Sequence, residues 1–192
     1  MTTQAFTLIR QSTKSILCVG LLSSLTAGLA LHAETAVPAN DCEQGHGAPA
    51  KLVQTVREAT RQYLDVNAAS AAGYAPFLGC ITGPDIGAMG IHYVNGDLVS
   101  GGEIDANHPQ AFIYEPSGDG RRLVGVEYIA LASPWLAKNS TPPILEGQSF
   151  QFIDTPNRYG LPALFELHVW AWQDNPHGAF VDWNTHVTCE KQ

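Results

Sequence analysis

FELHVWAWQDNPHGAFVDWNTHVTC, residues 165–189, holds three of the four Trp, three of the seven His and the last of the four Cys. Its first half alternates. Phe165, Leu167, Val169 and Ala171 are apolar, while Glu166, His168, Trp170 and Trp172 interleave a carboxylate, an imidazole and two indoles. Successive side chains of a strand point to opposite faces, so the spacing predicts a strand with one wholly apolar face and one polar-aromatic face. The apolar face must be core. The other meets solvent or lines a cavity.

Working outward, GAMGIHYVN (87–95), QAFIYE (110–115), RRLVGVEYIAL (121–131) and QSFQFID (148–154) are short runs rich in β-branched and aromatic residues. Turn signals separate them at Asn95-Gly96, at residues 117–120 and at Pro142-Pro143. Upstream, APAKLVQTVREATRQYLDVNAASAAGY (48–74) changes period. Leu52, Val56, Ala59, Tyr63 and Val66 recur at helical spacing, with Pro49 near the first turn and Gly73 near the end, which predicts one long amphipathic helix. Its other face, with Lys51, Arg57, Glu58, Arg61 and Asp65, reads as solvated. A long helix followed by four or five strands is an α+β arrangement, with the helix packed on a curved antiparallel sheet or partial β-barrel. An all-β barrel of cupin or lipocalin type is the alternative.

Residues 1–33 read as a signal peptide. Arg10 and Lys14 precede the apolar run ILCVGLLSSLTAGLALHA, which contains no acid and ends in small residues, with cleavage expected after Ala33. A flexible lead over 34–48 and a single domain over 49–192 follow. Export places the chain in the periplasm or outside the cell. Cleavage removes two basic residues and no acids, leaving eight Lys plus Arg against eighteen Asp plus Glu, a balance of −10. That charge argues against nucleic acid as a partner, and against a membrane once the signal is gone. A small molecule or a metal ion is the expected partner, and nothing in the residues sets the oligomeric state. Cys42, Cys80 and Cys189 survive cleavage. An oxidising compartment favours one disulfide, expected between Cys80 and Cys189, with Cys42 left over in the lead.

The chemistry resides in single ionisable residues set inside apolar runs. Glu166 and His168, two apart on one strand, point the same way and suit two ligands of one ion. His92 in GIHYV and Glu127 in VGVEYI stand alone among apolar neighbours, where an unpaired polar side chain is costly. With His177 in the NPHG turn, the expected metal ligands are His92, Glu127, Glu166, His168 and His177. Ligands of this kind without thiolate suit Zn, Cu, Mn or Fe. Glu127 and His168 are also the expected acid/base pair, because burial raises a carboxylate pKa toward neutrality. Tyr93, Tyr128, Trp170 and Trp172 are expected to line the pocket and contact a flat ligand. The competing reading is bland: isolated His and Glu residues satisfied by hydrogen bonds, and Trp side chains that only fill core. Glu103, Asp105 and Asn107 read as a solvated turn, and His46 and His186 as surface. No HExxH, GxSxG, GxGxxG or P-loop pattern occurs.

The blocks GAMGIHYVN, LVGVEY and LHVWAWQDNPHGAF together resemble a family of small exported bacterial proteins. The likeness runs from about Ala59 to Cys189. It implies that His92, Glu127, His168 and the turn over 175–180 belong to one shared design, and it implies no activity, cofactor or substrate. In the closing block the familiar form has Asn-Pro where this chain has Asn184-Thr185, which leaves His186 incidental.

The function expected on these grounds is an exported protein with a His/Glu site in an aromatic-lined pocket. It would bind a divalent transition metal and use it for hydrolysis or oxygen chemistry on a small molecule. The alternatives are a binding module for a flat aromatic or carbohydrate ligand, and a purely structural domain.

Overall fold

The structure, a computed structural model, describes residues 50–83 and 85–190. The expected signal peptide and lead, with Cys42 and His46, lie outside the described residues.

Helix α1 (Lys51–Thr60) buries Leu52, Val53, Val56 and Thr60 on one face, as its period requires. It runs into a 3-10 turn over Arg61–Leu64 and then stops. Asp65 adopts an extended backbone, and its Oδ1 accepts a hydrogen bond from the Asn67 amide at 2.9 Å, so a new short helix, α2 (Val66–Ala71), begins there. The single long helix expected from the periodicity is therefore corrected to fourteen helical residues, a break, and one further turn and a half. Asp side chains compete for backbone amides in this way, which makes them better caps than helix interiors.

The strands are β1 (Ala75–Gly83), β2 (Gly87–Val94), β3 (Ala111–Ser117), β4 (Gly120–Leu131), the short β5 (Ile144–Leu145), β6 (Gln148–Ser149) and β7 (Gln151–Ile153), and β8 (Leu164–Val169). Two short helices, α3 (Gly96–Gly101) and α4 (Ala132–Leu136), fill connections. Six strands form one strongly curled antiparallel sheet, a half-barrel, in the order β1-β2-β3-β4-β8-β7, while β5 and β6 pair separately. The α+β class and the curved sheet agree with the sequence reading.

One face of the sheet carries the main core. Phe112, Tyr114, Val126, Tyr128, Phe165 and Leu167 pack with Leu52, Val53 and Val56 of α1. The opposite face carries His92, Glu127, Glu166 and His168. A second, smaller core of Ala88, Ile113, Val124, Trp170 and Val187 adjoins them, where the C-terminal segment folds back. Three devices hold that segment. Cys80 is bonded to Cys189 across 109 residues; Ala88 bridges Asn184 through paired backbone hydrogen bonds; and Glu115 Oε1 accepts the Thr188 amide at 2.8 Å. The Cys80–Cys189 pairing is the one expected. Among the described residues no helix is long and apolar enough to cross a membrane.

Candidate metal centre

Antiparallel register places Glu127 of β4 directly opposite His168 of β8, and Ile129 opposite Glu166. Directly opposed side chains share a face. His92 is on β2, two strands from Glu127, with β3 between them. Ala111, the residue of β3 opposite Glu127, projects only a methyl on this face, and His92 is opposite Ile113. Strands two apart are separated by about 9–10 Å at the backbone, yet the curl of the sheet brings His92 Nε2 to 3.5 Å from Glu127 Oε2. His92 Nε2 is also 3.5 Å from His168 Nε2. The ligand atoms of His92, Glu127 and His168 all lie within 4.8 Å of one another.

A second trio shares His168. Glu166, His168 and Asp182 likewise bring ligand atoms within 4.8 Å of one another. The His168 Nδ1 is 3.6 Å from Asp182 Oδ1, while Gln151 Nε2 donates to Asp182 Oδ2 at 3.0 Å and holds that carboxylate in place. His168 thus presents one ring nitrogen to His92 and the other to Asp182. Trp170 stacks on its ring at a 6.2 Å centroid distance and donates from Nε1 to the Val181 carbonyl at 2.6 Å.

Burial governs the protonation of this cluster. His92 and His168 are 5% and 2% exposed. Desolvation, with the neighbouring His168, lowers the pKa of His92 to about 3, and desolvation alone lowers that of His168 to about 4, so both rings are neutral near pH 7. Burial, and then the nearby Glu166, raise Glu127 well above the usual carboxylate range. Burial and Asp182 bring Glu166 to about 7, against a lowering effect from its hydrogen bond with Glu127. Asp182 is raised as well, chiefly by burial. His92 Nδ1, His168 Nδ1 and Glu166 Oε1 are buried and have no hydrogen-bond partner among the described residues. Buried polar groups are nearly always satisfied, so three such atoms in one cluster set it apart from ordinary core.

The cluster opens onto a cavity of about 360 Å³. Its walls are apolar side chains of β1, β2, β4 and β8 and of the 159–161 segment, including Ile81, Met89, Val94, Ile129, Leu131 and Leu161. His92, Glu127, Glu166 and His168 supply its polar end.

Other expected residues are placed elsewhere. His177 is exposed, at the surface of a turn closed by the Gly178 amide on the Asn175 carbonyl, with the His177 amide bound to Asn175 Oδ1. It does not join either trio. None of Tyr93, Tyr128, Trp170 and Trp172 lines the cavity. Tyr93 packs edge-on against Tyr114, on the helix side of the sheet. Tyr128 is fully buried and donates to the Ala106 carbonyl at 2.6 Å. Trp172 leaves the site face altogether. The Ala171 amide bonds the Val169 carbonyl at 2.9 Å, a tight turn that ends the strand alternation, and the Trp172 indole then donates to Thr60 Oγ1 of α1 at 3.0 Å. Phe77 and Tyr159 are the aromatic residues that do border the cavity. Asp105 accepts from Asn107 and is paired with His108 in an exposed turn, as the solvated reading of that stretch requires.

Sequence reading missed Asp182. It is in the irregular stretch AFVDWN, where no period distinguishes an inward from an outward side chain. The one available signal was an acid flanked by Val181 and Trp183.

Fold and site together define a half-barrel α+β protein with buried His/Glu/Asp groups that could hold a metal ion. Compared with protein-family models, with curated proteins and with solved structures, the chain finds no match.

Proposed function

We propose that this is an exported protein that binds one divalent transition metal through His92, Glu127 and His168 and presents it to a small molecule held in the adjoining cavity. One observation carries the reading. Ligand atoms bonded at about 2.0–2.1 Å to a tetrahedral ion are about 3.3–3.4 Å apart, and His92 Nε2 is 3.5 Å from both Glu127 Oε2 and His168 Nε2. Two neutral imidazoles and a carboxylate converging in this way suit Zn, Mn, Fe or Cu, and two His with one carboxylate is a set that leaves positions open.

Asp182 supports the same assignment from outside the ligand set. A carboxylate bonded to the second nitrogen of a ligating His fixes its tautomer and raises its basicity; Asp182 Oδ1, 3.6 Å from His168 Nδ1, is placed to close to that bond when the ring takes an ion. When bound, the ion would act as a Lewis acid or lower the pKa of a bound water. Glu166, two residues from His168 on β8 and at the same polar end of the cavity, is placed to take and return a proton beside that position. The apolar walls exclude water and strengthen every electrostatic interaction at the polar end.

Titration calorimetry with Zn²⁺, Mn²⁺, Fe²⁺ and Cu²⁺ on chelator-treated mature protein tests this. Near-equimolar binding to the native chain, abolished in folded His92→Ala and His168→Ala variants, is the expected result. Uptake that neither variant changes would overturn the assignment.

A further inference from the structure

We propose that the cavity takes an uncharged, largely aliphatic molecule carrying one oxygen function, a medium-chain alcohol or carbonyl compound, with its oxygen at the His92/Glu127/His168 end. The inference deepens the metal reading and rests on it for the atom that the oxygen meets and for the balance of charge at that end.

Three observations specify the occupant. The first is polarity. Among the described residues that line the cavity there is no Lys or Arg, and the polar ones other than Tyr159 are gathered at the metal end, so a ligand with a single polar terminus fits and a polyol does not. The second is charge. Glu127, Glu166 and Asp182 already oppose the two charges of a divalent ion, which leaves no surplus positive charge for an anionic ligand. An ammonium group would have to be stripped of water among Met89, Ile129 and Leu164. The third is size: with a methylene taken to occupy about what a water does in the liquid, about 30 Å³, a volume of about 360 Å³ takes a chain of about ten carbons and its oxygen.

The mouth fits an apolar entrant too. Pairing between β1 and β2 lapses between Phe77 and Ile81, and Leu78 has a φ of +59°, a conformation that side-chain-bearing residues rarely adopt. Phe77 and Leu78 line the cavity and are still 41% and 47% exposed. They form an apolar lip that the regular ladder does not hold shut.

The test is a calorimetric series of 1-alkanols from butanol to tetradecanol, beside the matching alkanoates and alkylammonium ions. Each methylene buried contributes about 0.8 kcal/mol, so affinity should rise about fourfold per carbon and level off near ten carbons. The charged series should bind at least tenfold more weakly at equal length. Ile129→Trp should fill the cavity and remove binding, and Ile129→Ala should move the plateau out by one or two carbons. A series without length dependence, a plateau that Ile129→Ala leaves in place, or tighter binding of either charged series would overturn the proposal. Running the series on chelator-treated and on metal-loaded protein separates the two claims. Length-dependent binding without metal uptake upholds the occupant while the metal assignment fails, and metal uptake with a flat series overturns the occupant alone.

Discussion

Replacing Glu166 by Gln should make the metal-free protein more stable at alkaline pH. Glu166 is 5% exposed, and burial together with Asp182 raises its carboxyl from 4.5 to about 7. A raised folded-state pKa means that the folded chain holds this proton more tightly than the unfolded chain. The stabilisation is complete below pH 4.5 and is lost as pH climbs through about 7. At about 1.4 kcal/mol per pKa unit, the ionised Glu166 costs about 3 kcal/mol by pH 8, of which about 2–3 kcal/mol accrues above pH 5. His92 and His168 act in the opposite direction, withdrawing stability as pH falls below 6.5, but they do so equally in both proteins and cancel in the comparison. Gln keeps the shape and an acceptor for Glu127 without a titrating charge. Urea unfolding at pH 5 and pH 8 in the presence of chelator measures the difference. With m of about 1–3 kcal/mol per molar, the native midpoint should drop between the two pH values by about 1 M more than that of Glu166→Gln. Parallel pH profiles would refute the buried, charge-strained site.

Four further outcomes follow from the same geometry. Adding a saturating divalent ion should reverse the alkaline trend in the native protein, because ligation needs deprotonated groups; thermal unfolding from pH 6 to 8 with and without the ion checks the change of sign. Trp172→Ala should cost about 3–5 kcal/mol through lost core packing and the lost bond to Thr60, with ion affinity within about twofold of native, since its indole packs on α1 and not on the cavity; abolished ion or ligand binding in the folded variant would contradict that placement. Converting both Cys80 and Cys189 to Ser should cost up to about 4–5 kcal/mol in urea unfolding, from the loop of 109 residues that the bond closes. Gly87→Ala should loosen the C-terminal segment, because Gly87 has a φ of +87° and a Cβ there would collide with the Asn184 carbonyl; faster amide exchange at Ala88 and Asn184 is the readout.

The alternation of residues 165–169 was readable because period 2 puts the apolar Phe165, Leu167 and Val169 on one face and Glu166 and His168 on the other. It located Glu166 and His168 correctly on the face opposite the core. The break at Asp65 was masked because Tyr63 and Val66 continue the helical period through it, while the competing Asp65–Asn67 bond depends on a local conformational choice. Trp172 could not be placed from the segment alone. Its direction is set by Thr60, 112 residues away, and by Arg57, whose Nε donates to the Ala171 carbonyl at 2.5 Å. The convergence of His92 with Glu127 depends on how far the sheet curls over β3, a property of the assembled sheet and not of any one strand. Asp182 is carried by a loop without a period, and its bond to Gln151 on β7 helps aim it at His168.

The most direct test of the account is the metal content, by elemental mass spectrometry, of the mature protein exported and purified without an affinity tag. Close to one transition-metal ion per chain is expected, and none in a His92→Ala/His168→Ala double variant that keeps its native circular dichroism. Absence of metal from the native protein even after reconstitution, or equal content in the two, would contradict it.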